Sequence, residues 1–175
     1  MSVTTKKLKR ILVHPVEYLL FRVTLTILLR LPDKLAEALG RAIGSCAWAV
    51  LRIRRQVTIA NLVQAFPGKN PGELEKIGRG CYRNLGAGFI EVFRMPVLTM
   101  EWMESRISIE GREILDKALE EGLGVINATF HFGNWELMGA YTARLGYPVE
   151  VIARSQTNAS FNDYLTVCAA QTEWG

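Results

Sequence analysis

The chain has 175 residues, 49% hydrophobic and 22% charged, with a mean hydropathy of +0.12. That is enough apolar material for one domain with its own core, which excludes a disordered chain; it is too polar for a multi-span membrane protein. The net charge of +4 is unevenly spread, with eleven Lys/Arg against three acids in residues 1–55, so that segment carries +8 and the rest −4.

Basic residues that alternate with aliphatic ones suit an anionic membrane surface. Nucleic acid is the disfavoured partner, because exposed aromatics and glycines do not accompany the charges. Lys6, Lys7, Lys9 and Arg10 precede an apolar stretch over 11–31, as in a signal peptide, but no small-residue cleavage site follows. Residues 18–29 (YLLFRVTLTILL) are apolar apart from Arg22 and two threonines. They fall short of the roughly 20 residues a spanning helix needs. The expectation is a membrane anchor over 1–31 that lies in or dips into the cytoplasmic leaflet; a single span and a buried core helix are the alternatives.

A helical region is expected over 32–105. Asp33 is a candidate cap for a helix whose Leu35, Leu39, Ile43, Ala47, Val50 and Leu51 form an apolar face at spacings of three and four. Arg52, Arg54 and Arg55 form a basic cluster, and a helix over 57–65 stops at Phe66-Pro67-Gly68. Asn70, Pro71 and Glu73 carry the pattern of a capping box, opening a helix expected to reach Phe93. Its glycines (Gly78, Gly80, Gly86, Gly88) predict close helix packing or a kink, since each costs about 1 kcal/mol relative to alanine.

Past residue 100 the texture changes. Strands are expected at 107–109, 123–129 and 149–153, and helices at 111–121, 135–145 and 158–172. This alternation predicts an α/β fold, with a parallel sheet and flanking helices over 106–175. Three strands make a poor sheet of this kind, so the segment is expected to be the N-terminal part of a larger domain. Cys46, Cys81 and Cys168 lack metal-ligand spacing and read as buried thiols of a reducing compartment.

The chemistry concentrates at His131-Phe132-Gly133-Asn134-Trp135-Glu136, which holds one of two histidines in the chain. If 123–129 is a strand, His131 sits at its C-terminal end, where parallel sheets gather ligands. Asn134 is placed to cap the next helix, and Glu136 falls in its first turn, where the dipole favours the carboxylate. An ionised Glu136 can accept from one imidazole nitrogen and leave the other to take a proton from an attacking hydroxyl. Gly133 allows close backbone approach, and the N–H groups of the turn can stabilise an oxyanion. The same residues also fit a capped core histidine beside an ordinary first-turn acid, and Trp135 fits core packing. Arg154 is a candidate ligand for a phosphate or acyl carbonyl, or a surface arginine at a strand end.

Taken together, these residues resemble the bacterial lipid A biosynthesis acyltransferase family, within the lysophospholipid acyltransferase-like superfamily. The resemblance rests on ordered features: the basic-hydrophobic N-terminus; Arg54-Arg55 leading to Asn61-Leu62 and Phe66-Pro67; a helix carrying Asn84 and Glu91; and the His131–Glu136 motif followed by Arg154 and Asn158. It implies an enzyme on the cytoplasmic face of the inner membrane. The implied reaction moves a fatty acyl chain from acyl carrier protein or coenzyme A to a hydroxyl of a lipid A precursor or related glycolipid. His131 and Glu136 are implied as the catalytic pair, Asn134 and Arg154 as substrate-binding residues, and no metal or organic cofactor is implied. Mannolipid acyltransferases share the architecture and leave the acceptor open. A peripheral membrane adaptor without catalysis is the non-enzyme alternative. A soluble hydrolase lacks support, because no G-x-S-x-G elbow is present.

Overall fold

The computed structural model describes residues 14–150, with side chains from Leu20 onward. Seven α-helices follow one another among them: α1 (His14–Arg30), α2 (Asp33–Ala49), α3 (Arg55–Ala65), α4 (Pro71–Arg94), α5 (Met100–Glu104), α6 (Arg112–Glu120) and α7 (Trp135–Arg144). A 3-10 turn, Met95–Val97, ends α4, where Pro96 cannot continue the helix ladder.

The organising contact is an antiparallel crossing of α2 and α4. Ala36, Gly40, Gly44 and Trp48 recur every four residues and are the buried row of α2. Facing them, Gly86 and Ala87 lie against Gly40, Tyr82 against Gly44, and Gly78 beneath the Trp48 ring. Small residues in an i, i+4 row let two backbones approach closely. The glycines at 78 and 86 thus meet the expectation of close packing, while a Cβ at Gly80 would meet open space.

Polar contacts fix both ends of this hairpin. At one end Arg94, 7% exposed, donates from Nη2 to Asp33 Oδ1 at 2.8 Å. Asp33 is therefore the first residue of α2 and an ion-pair partner, and Pro32 occupies the cap position. At the other end Trp48 Nε1 donates to Glu75 Oε1 at 2.9 Å, and Arg55 Nη2 reaches the same oxygen at 2.6 Å. The Arg55 hydrogen bond holds the Glu75 carboxyl below its ordinary 4.5. A depressed carboxylate contributes stability above its unfolded pKa that is lost as pH falls through the folded one. Acidification should accordingly weaken the Arg55–Glu75 link between α3 and α4. Tyr82 Oη donates to the Ile53 carbonyl, closing the same corner.

Asn70 forms the expected capping box: its side chain accepts from Glu73 N at 3.0 Å, and Glu73 Oε2 accepts from Asn70 N at 2.9 Å. Asn70→Ala should cost about 1 kcal/mol, read as a lower urea midpoint with an unchanged slope.

Two core clusters flank the crossing. Leu28, Ala36 and Ile90 gather with Leu31 and Phe93, while Leu98, Met103, Leu137 and Tyr141 gather with Met100, Trp102, Ile107 and Leu145. Arg144 locks the second cluster, donating to the carbonyls of Leu98 and Met95.

Three expectations are corrected. First, the parallel sheet of an α/β fold is absent: no strand occurs among the described residues. The 107–109 segment is used as the exit from α5, with Ile107 N bonded to Met103 O at 2.8 Å. The 123–129 segment has no ladder partner, and its apolar side chains stand in solvent, Leu123 at 87% and Ile126 at 99% exposure. An apolar run becomes a strand only when a neighbour satisfies its backbone, and the third expected strand lies almost wholly outside the described residues. Left-handed Gly122 and Gly124 also break the extension at its start. Second, the apolar face of α2 points outward: Leu35, Leu39 and Ile43 are exposed, as are Val50 and Leu51 just past its end, because the small-residue row wins the close helix contact. Third, Cys46 and Cys81 are exposed rather than buried. No helix among the described residues is long and apolar enough to cross a membrane. The helix over 158–172, Cys168 and part of the 1–31 segment lie outside the described residues.

Candidate active site

The His131–Glu136 stretch is the entry to α7. Gly133 adopts a left-handed φ of +63°, which brings the chain into the helix at a position where a side chain would be strained. Asn134 then caps α7, its Oδ1 accepting from Leu137 N at 3.1 Å. Burial of Leu137, Ala140 and Tyr141 anchors the helix face that follows.

Asn134 is engaged at both ends of its amide. Its Nδ2 donates to Glu91 Oε2 on α4 at 2.8 Å and approaches the Gly88 carbonyl at 3.4 Å. The cap expected for Asn134 is present; the bridge to α4 was not legible. Its signal is the i, i+3 spacing of Gly88 and Glu91, which puts a carbonyl and a carboxylate on one side of α4.

His131 is exposed, and its ring lies against the indole of Trp135, with centroids 4.6 Å apart and planes inclined by 52°. Trp135 is half-buried, and its Nε1 donates to Glu136 Oε1 at 3.2 Å. The indole therefore stands between the imidazole and the carboxylate. No hydrogen bond joins His131 directly to Glu136 among the described residues, so the two expected partners share one turn without touching. Glu136 lies in the first turn of α7. Arg154 lies outside the described residues.

The other residues that carry the resemblance lie on α3, at its end and on α4. Arg54 takes a left-handed φ of +49° at the start of α3, Arg55 pairs with Glu75, and Asn61, Phe66 and Asn84 are exposed.

An exposed imidazole at a helix entry, with a carboxylate one indole away, is an arrangement able to take a proton from an incoming hydroxyl. The family model for bacterial lipid A biosynthesis acyltransferases matches residues 5–168, almost the whole chain and all of this site. The chain belongs to that family. Among curated relatives of this acyltransferase-family chain, the lipid A biosynthesis palmitoleoyltransferase of Escherichia coli (strain K12) is 30% identical over 114 residues. The lipid A biosynthesis acyltransferase of Shigella flexneri is equally similar. Each match covers 63% of this chain and 36% of the relative, so the chain aligns with little more than a third of the curated relatives' length. No solved structure matches it.

Proposed function

We propose that this chain carries the catalytic base of an O-acyltransferase that esterifies a hydroxyl of a lipid A precursor or related glycolipid. The donor is a fatty acyl thioester of acyl carrier protein or coenzyme A. The observation that carries the reading is the family match across residues 5–168, which includes the ordered His131-to-Glu136 motif at the entry to α7.

His131 removes the proton from the acceptor hydroxyl as its oxygen attacks the thioester carbonyl. The tetrahedral oxyanion is held by backbone N–H groups at the α7 entry. Collapse breaks the C–S bond, and the imidazolium returns its proton to the departing thiolate, so an ester and a free thiol result. Glu136 acts on the imidazolium by way of Trp135, whose indole touches the His131 ring and donates to the carboxylate. Arg154 binds the anionic portion of a substrate.

The enzyme works at the cytoplasmic face of the inner membrane. Supporting this are the +8 charge of residues 1–55 and the outward aliphatic positions Leu20, Val23 and Ile27 on α1 and Leu35, Leu39 and Ile43 on α2. Exposed aliphatic side chains beside Arg30 and Lys34 suit a lipid surface with anionic headgroups.

A cellular experiment tests the acceptor. The gene product carrying this chain is expressed in a bacterium whose lipid A lacks one secondary acyl chain, and the lipid A is weighed by mass spectrometry. Restoration of one ester-linked chain is expected, and unchanged lipid A alongside a newly acylated mannolipid would move the acceptor to that class.

A further inference from the structure

We infer that Glu91 on α4 is a positioning residue for the His131 turn, acting through Asn134; this rests on the acyltransferase reading of that turn. Residues 131–136 are largely exposed, and their hydrogen bonds are mostly local. Among the described residues, the only hydrogen bonds joining them to another element run from Asn134 Nδ2 to Glu91 and to the Gly88 carbonyl. The Glu91 bond is the shorter, at 2.8 Å against 3.4 Å, and its acceptor is a carboxylate, which makes it the stronger.

Glu91 is suited to this task by what surrounds it. It sits on the 24-residue α4, the helix that crosses α2, between buried Ile90 and the buried Arg94 that pairs with Asp33. The α7 entry is therefore referenced to the helix that makes the close crossing with α2. Asn134 performs two tasks with two atoms: Oδ1 starts α7, and Nδ2 fixes where that start lies relative to α4. His131 lies against Trp135, the residue next to this cap, so a shift of the cap carries the imidazole with it. A displacement of about 1 Å at a reacting group costs roughly 100-fold in rate.

The two atoms can be tested separately. Asn134→Asp keeps an oxygen for the cap, since Asp and Asn serve equally at that position, but removes the donor and sets two carboxylates against each other. Combining it with Glu91→Gln restores one bond with its direction reversed, the Gln amide donating to the new carboxylate. Transfer is measured on the gene product carrying this chain, with radiolabelled lauroyl, myristoyl and palmitoleoyl thioesters of acyl carrier protein. Hydrogen exchange of the amides at 132–137 is followed in the same samples.

Asn134→Asp should lower kcat about 100-fold with KM within about twofold, and speed exchange at the turn about tenfold. The double variant should regain most of both losses. A single variant with normal kcat, a loss confined to KM, or a double variant no better than the single one overturns the inference. If the parent protein shows no His131-dependent transfer, the acyltransferase reading fails. The positioning inference is then decided by exchange alone, and protection that the swap does not restore overturns it.

Discussion

His131→Ala should lower acyl transfer by about 100-fold to 10,000-fold, the span that a positioned general base contributes. The loss should appear in kcat, because the imidazole acts on a proton that moves only in the transition state. Membrane association should be unchanged, since the outward aliphatic positions of α1 and α2 do not involve this turn. Stability should change little as well, because His131 is exposed and its contact is one face of Trp135. Glu136→Gln should be milder: the carboxylate reaches the imidazole by way of the indole, and the amide still accepts from Trp135 Nε1. Steady-state kinetics with vesicle co-sedimentation in parallel separates these effects. Equal turnover in His131→Ala and parent protein would remove the base assignment and favour a membrane adaptor.

The largest stability effect is expected at the crossing of α2 and α4. A Cβ on Gly86 would lie 2.2 Å from the Gly40 carbonyl oxygen, and one on Gly44 would lie 2.0 Å from that of Tyr82. Both obstacles are backbone, so relief requires the helices to separate rather than a side chain to turn aside. Gly86→Ala and Gly44→Ala should each cost about 3 kcal/mol or more, a large share of the 5–15 kcal/mol typical of a folded domain. Gly80, on the same helix, meets nothing. Gly80→Ala should therefore stabilise by up to about 1 kcal/mol through helix propensity. Opposite shifts in melting temperature for one substitution at two positions of α4 would confirm the close approach. Equal tolerance at Gly86 and Gly80 would contradict it.

The helical half of the fold was legible because its signals are local. Asn70, Pro71 and Glu73 specify a helix start from three residues alone, and the structure shows both capping bonds. Asn134 likewise announced the start of α7. The orientation of α2 was not legible, because hydrophobicity marks a face without saying what covers it. The aliphatic row headed by Leu35 is the stronger apolar signal, yet only the row of Ala36, Gly40 and Gly44 lets α4 approach closely. The sheet failed for a different reason. Strands are made by partners distant in sequence, and Leu123, Val125 and Ile126 find none among the described residues. At the site, the motif located the turn and its residue types. The geometry inside it was hidden, because an indole between the imidazole and the carboxylate depends on how Trp135 packs, and the Glu91 bridge spans 43 residues of sequence.

The central claim is tested most directly by following one labelled acyl chain. The gene product carrying this chain is incubated with a radiolabelled acyl thioester of acyl carrier protein and a lipid A precursor in detergent micelles, beside its His131→Ala variant. The products are resolved by mass. The account predicts a glycolipid heavier by one ester-linked acyl chain, an equal amount of free carrier thiol, and loss of both in the variant. Label appearing as free fatty acid, or a glycolipid product formed equally by the variant, would contradict it.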